Sequence, residues 1–308
     1  MAHSKSTYWQ GGFAALAVCG LLTLAAPGLA GDAPPAEAWR TVDPDNLVLI
    51  DTKYGQVAVE LAPEFAPKHA ERLRALIRAH FYDGLSFYRV IDGFVAQGGI
   101  GEGTASTKDH PVEAKDLAKT WPPLKAEFDR VSAQGPVFAP LGNADLMAPE
   151  VGFEDGFPVA RDPADKREWL ISCPGTFAFA RDNDPDTAST EFYIVIGQAP
   201  RRLDRDLTAF GRVLAGQQYL QKLERGDPDV DSGVIGDVTK RDPIVRMRLA
   251  ADVPAAERPS FQVIRTESKT FADQIEARRH PTSPFYFRKP PPVLDICGVP
   301  VAVRKAVP

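Results

Sequence analysis

An arginine, a glutamine and a Gly-Gly pair share the stretch FYRVIDGFVAQGG, which runs from Phe87 to Gly99. Phe87, Val90, Phe94 and Val95 mark it as core-seeking, yet the permanently charged Arg89 stands in its middle. An unpaired cation in such a stretch is costly to bury. A guanidinium offers a rigid fork of donors and does not titrate near neutrality, so it suits holding an acceptor rather than moving a proton. Other constellations carry weaker chemistry. GGIGEG (Gly98 to Gly103) has the glycines of a phosphate loop, but no helix pattern follows it. Asp182, Asp184 and Asp186 alternate as in a calcium loop, yet Thr187 and Tyr193 stand where Gly and Glu belong, which favours a solvated turn. The five histidines are scattered without HExxH, and the cysteines match no zinc spacing. There is no G-x-S-x-G elbow. No metal or cofactor is expected.

The elements that must position Arg89 are strands. LVLIDTKYGQVAVEL alternates around Gly55 as two strands joined by a tight turn. KHAERLRALIRAHFYDG places Ala70, Leu73, Leu76, Ile77 and His80 on one helical face, bracketed by Pro67 and Gly84. PLKAEFD, GTFAFAR, EFYIVIG, LTAFGRVL and DPIVRMRLA read as further strands, and GQQYLQKLER as a short helix. Residues 103–174 are otherwise irregular and read as a long insertion. FQVIRTE, a helix over TFADQIEARRH and PVAVRK occupy an extension, residues 251–308, of unknown role.

The chain has 308 residues, 44% hydrophobic, with a net charge of −5. Mixed charge without a basic excess argues against nucleic-acid binding. Lys5, the apolar run Phe13 to Ala26 and the small residues before Ala30 form a secretory leader, residues 1–30, followed by a Pro-rich linker over 31–46. The run is shorter than the roughly 20 apolar residues a membrane span needs. The expectation is therefore a mature protein in the periplasm or secreted, with no stable membrane insertion. Cleavage leaves Cys173 and Cys297, either bridged or two buried thiols.

FYRVIDGFVAQGG resembles the cyclophilin signature of Phe-x-Arg, Gly-Phe and Gln-Gly-Gly. HAERLRAL, KAEF, TFAFAR, STEFYIVIG and LDRDLTAFGRV are similar to further family segments, in order, from about Leu47 to Ala250. The resemblance is to divergent, exported bacterial members. It implies a mainly β fold: a closed eight-stranded antiparallel barrel capped by two helices, over residues 47–250. It also implies peptidyl-prolyl cis-trans isomerase activity on proline-containing polypeptides, by a protein expected to be a monomer. Arg89 and Gln97 match the family's catalytic pair. Phe87, Phe94, Val95, Ala180, Arg181, Glu191, Tyr193, Arg202, Leu203 and Leu207 match positions that meet substrate. Several depart from the usual residues: Val95, Tyr193 and Leu207 stand for Met, Phe and His, Arg202 for Trp, Arg181 for Asn and Glu191 for Gln. The alternative is a weakly active or inactive peptide-binding or chaperone module. Arg181, Arg201, Arg202 and Arg205 suggest a positive field beside the groove.

Overall fold

Residues 33–101, 118–132 and 137–306 are described by the structure, a computed structural model. The expected leader lies outside them. Short alternating runs become strands, in chain order β1 (Trp39–Thr41), β2 (Leu47–Thr52), β3 (Gly55–Leu61), β4 (Ser86–Val90) and β5 (Val95–Gly99). The insertion supplies β6 (Arg130–Val131), β7 (Ala139–Pro140), β8 (Glu150–Glu154), β9 (Phe157–Asp162) and β10 (Arg167–Leu170). Then come β11 (Thr176–Phe179), β12 (Phe192–Val195), β13 (Ala209–Ala215) and β14 (Asp242–Leu249), followed by β15 (Phe261–Ile264) and β16 (Val303–Lys305). Helices are α1 (Pro67–Arg78), the single turn α2 (Gln217–Leu220) and α3 (Lys269–Arg279).

Eight strands close an antiparallel barrel in the order β11-β12-β5-β4-β14-β2-β3-β13. Closure removes every exposed edge. Its interior holds Val48, Ile50, Val57, Val59, Phe87, Phe177, Phe192, Phe210 and Met247. Phe177 stacks on Phe192 at 5.1 Å, and Phe87 meets Phe192 edge-on at 5.9 Å. Helix α1 lays Ala70, Leu73, Leu76 and Ile77 against this core, and α2 adds Leu220. The first-turn amides of α1 have no local side-chain cap. The Glu127 carboxylate serves instead, accepting from Lys68 N and His69 N at 3.1 Å each. A carboxylate there also complements the helix dipole. His80 does not share the buried face as its spacing suggests. The helix ends at Arg78, and His80 takes a left-handed φ of 56° and is exposed. Among the described residues, the buried histidine is His69.

The insertion is more regular than its Pro and Gly content suggests. β6-β10-β9-β8-β7 form a five-stranded sheet. The strand expected over PLKAEFD is reduced to an isolated bridge, Leu124 with Ala188. Alternation gives the sheet two apolar faces. Val159 and Leu170 pack with Val95, Tyr193 and Ala178 on the outer wall of the barrel. Ala160, Trp169 and Ile171 point the other way, into a core shared with Phe271 and Ile275 of α3 and with Ile296. On the barrel-facing side, Arg130 and Arg161 each bridge both Glu154 and Glu168, at 2.6 to 2.8 Å, with the carboxylates buried. The extension therefore covers the insertion, and the insertion backs the barrel wall. The supposed linker is also part of this assembly, because Trp39–Thr41 pairs with β15 in the sheet β1-β15-β16. Cys173 and Cys297 are joined by a disulfide.

Candidate active site

One residue too many in β4 determines where Arg89 points. Phe87 pairs with Gly98 and Arg89 with Gln97, so Tyr88 is a bulge residue. A bulge re-aims the side chains that follow it. Phe87 and Val90 both turn into the barrel core, while Arg89 turns outward. Gln97 is then flanked by Arg89 on β4 and Tyr193 on β12, its partners in the two neighbouring ladders. The three lie in a row on the outer face of the barrel, along a groove of about 1090 Å³.

Arg89 is held at two points. Nε donates to Ser232 O at 2.8 Å and Nη1 donates to Gln97 Oε1 at 3.1 Å. Gln97 Nε2 donates onward to the Tyr88 hydroxyl at 2.5 Å. Beside this polar edge lies an apolar floor. Val95 and Tyr193 are buried there, with Phe94, Ala180 and Leu207 partly exposed against them. Leu203, Arg181 and Glu191 complete the groove together with Asp206, Asp231 and Val234. The Tyr193 hydroxyl is buried without a hydrogen-bond partner among the described residues. Burial also pushes its pKa up, which keeps it a donor. Such a group gains most from a ligand acceptor.

The Gly-Gly pair ending the signature makes room for two neighbours. A Cβ on Gly98 would come within 2.8 Å of the Phe192 ring, and one on Gly99 would strike the Glu191 carboxylate. Gly99 also has a φ of 147°. Glu191 accepts from Ile100 N at 3.0 Å and Gly101 N at 3.1 Å. Burial nevertheless raises its pKa to about 7.

The expected residues converge, with two corrections. Phe87 is fully buried in the barrel core and does not line the groove, because the bulge at Tyr88 breaks the alternation. Arg202 is outside the groove lining; its guanidinium lies 5.7 Å from the Phe94 ring centroid. The positive field is largely neutralised. Arg201 pairs with Asp145 at 3.0 Å and Asp204 at 2.7 Å, and Arg205 with Asp129 at 2.7 Å. Arg181 is spent on the carbonyls of Asp182, Asn183 and Asp206. In the acidic loop, Asp184 caps its own turn and Asp186 accepts from Ala126 N. Tyr88 and Ser232 are the additions that motif reading missed. The hydroxyl beside Arg89 was a signal for the first; nothing local marked the second.

A family model described as cyclophilin type peptidyl-prolyl cis-trans isomerase/CLD matches residues 47–249. A probable peptidyl-prolyl cis-trans isomerase of Brucella suis is 28% identical over 213 residues, 68% of this chain and 85% of the relative. Peptidyl-prolyl cis-trans isomerase-like 3 of Gallus gallus is 27% identical over 179 residues, 58% of this chain and 81% of the relative. Among solved structures, cyclophilin AquaCyp293 from Hirschia baltica is similar, with a TM-score of 0.68 and 28% identity. That match covers 87% of this chain and 94% of the other, so the likeness extends beyond the barrel.

Proposed function

The chain belongs to the cyclophilin-type peptidyl-prolyl cis-trans isomerases, and from that premise we propose that Arg89 is its catalytic donor and that its substrates are exported polypeptides. Amide resonance sets a rotation barrier of roughly 18–20 kcal/mol. The two isomers of an X-Pro bond differ little in energy, so only the rate needs help. No covalent bond forms and no proton moves. At the twisted geometry the prolyl nitrogen regains a lone pair. A fixed donor aimed at that nitrogen acts only in the transition state, which is the binding that accelerates.

The observation carrying this reading is the anchoring of Arg89 by Ser232 O and Gln97 Oε1 beside an apolar floor. Two donors tie the guanidinium down, and the remaining N–H groups are available to substrate. Gln97 is the positioning amide. Phe94, Val95, Tyr193, Leu203 and Leu207 hold the proline ring, and Ala180 and Arg181 flank the substrate backbone. Residues 47–250 form the isomerase domain, acting as a monomer on proline-containing chains. The test is turnover of X-Pro peptides by the mature protein. Catalysis abolished by Arg89→Ala supports the role; a protein that binds such peptides without accelerating their isomerisation would be a binding module instead.

Export rests on the leader pattern ending at Ala30. Among the described residues, no helix is long and apolar enough to cross a membrane. N-terminal sequencing of protein from the periplasm or medium is expected to begin at Gly31 or Asp32. Intact Met1 on cytoplasmic protein would overturn export.

A further inference from the structure

Gln97 has only one usable orientation. A guanidinium donates and never accepts, so Oε1 must face Arg89, and Nε2 is left to donate to Tyr88. The Tyr88 oxygen is then occupied as an acceptor, and its own proton is available to Glu191, to which the hydroxyl is hydrogen-bonded. The bonds run head to tail from the guanidinium of Arg89 to the carboxyl of Glu191. Hydrogen bonds in such a chain polarise one another.

Glu191 has nothing left for substrate. A carboxylate offers about four lone-pair sites. Ile100 N and Gly101 N fill two of them, Thr190 Oγ1 at 3.3 Å a third, and Tyr88 the last. Its influence on a bound peptide must therefore pass through its neighbours.

We infer that Glu191 is a positioning residue: ionised, it orients Arg89 through Tyr88 and Gln97, and its protonation relaxes that orientation and slows turnover. This rests on Arg89 being the catalytic donor. Once protonated, Glu191 becomes a donor itself. Its O–H competes with Gln97 Nε2 for the Tyr88 oxygen, while the Tyr88 proton loses its acceptor. Burial places the Glu191 titration at about 7, against the pull of its hydrogen-bond donors. The ionisable groups around it are Tyr82, Arg72 and Arg89 and, along the groove, Arg181, Tyr193, Asp182, Asp206 and Asp231. Tyr82, packed beneath, is raised well above the ordinary tyrosine value by its burial and by the Glu191 charge, and donates to Thr190 O. Arg72 of α1, beside Tyr82, donates to Ser189 O, and Arg89 stands at the far end of the chain of bonds. The sign follows: activity is full above the titration and is lost as pH falls through it.

The decisive measurement is the pH profile of kcat and KM for X-Pro peptides with the full mature protein, alongside Glu191→Gln and Tyr88→Phe. Wild type is expected to lose about tenfold in kcat/KM from about pH 8 to about pH 6, carried by kcat. Glu191→Gln keeps the shape and cannot titrate, so its profile is expected to be flat. Tyr88→Phe keeps the carboxyl and cuts the link, and its profile is expected to be flat as well. A second readout needs no turnover: the Arg89 15Nε resonance should titrate near pH 7 in wild type and in neither variant. Thermal unfolding confirms that each variant is folded. A flat wild-type profile, or a titration that survives in both folded variants, overturns the inference. Absence of isomerase activity at every pH with the Arg89 resonance still titrating would instead overturn the catalytic reading and leave the linkage standing.

Discussion

Arg89→Ala is expected to lower kcat/KM at least about 100-fold, equivalent to about 2.7 kcal/mol of transition-state stabilisation. The loss should fall on kcat. On the proposed reading the proline ring rests on Val95, Tyr193, Phe94 and Leu207, which pack with one another and not on the guanidinium. Peptide affinity should therefore change by much less than turnover. Arg89→Lys should also be poor. An ammonium is a point donor on a flexible stem and cannot span Ser232 O and Gln97 Oε1 while still presenting a fixed donor to substrate. The native fold should survive, because Arg89 lies on the outside of the barrel and is only half-buried. Thermal unfolding measured beside the kinetics separates a lost donor from a lost fold. A folded Arg89→Ala protein with near-wild-type rates would leave Arg89 a structural residue.

What the sequence discloses follows from the range over which each constraint acts. The barrel was legible because strand alternation is local. The Leu47–Leu61 hairpin and the strands around Phe177 and Tyr193 each state their buried face within a few residues. The pairing of Arg89 with Gln97 was legible only through the family signature. Its physical cause, the bulge at Tyr88, breaks the alternation that periodicity reading relies on; Phe87, which the family resemblance puts among the substrate positions, is found in the core. The insertion sheet was missed although it carries a short-range signal. Asp155-Gly156 joins β8 to β9 with φ values of 47° and 83°, the left-handed pair that an Asp-Gly hairpin turn adopts. The Pro-rich arm hid β1, whose partner lies more than two hundred residues away in β15. Charge pairing was the least visible. Arg201 and Arg205 look like steering charges until Asp145 and Asp129 come in from the insertion, and no spacing rule connects those positions.

Cys297→Ser is expected to lower the thermal midpoint by about 10 °C or more while leaving isomerase rates near wild type at low temperature. The Cys173–Cys297 bridge spans 124 residues. Closing a loop of that length restricts the unfolded chain by about 5 kcal/mol in the chain-entropy account. In a protein of this size each kcal/mol corresponds to roughly 2–4 °C. The bridge also ties together two parts that share an apolar core. Cys173 follows the insertion sheet, and Cys297 lies in the extension, in the turn Ile296–Gly298. Both belong to the core that Phe153, Trp169 and Ile171 share with Phe271 and Ile275. Without the bridge the extension is held by that packing, by the small sheet β1-β15-β16, by Phe261 and Val263 against Leu47 and Leu49 of the barrel, and by hydrogen bonds such as Asn143 with Leu294. The Arg89–Gln97 row does not depend on it, because the two residues are fixed within β4 and β5 and by the Ser232 carbonyl. The variant should therefore separate stability from activity, with reductant lowering the wild-type midpoint to that of Cys297→Ser and leaving the variant unchanged. An unshifted midpoint would mean that the apolar contacts between insertion and extension hold the two together without the bridge. A loss of turnover in a folded variant at low temperature would mean that the insertion sheet, through Val159 and Leu170 behind Val95 and Tyr193, sets the shape of the proline floor and needs the extension to do so.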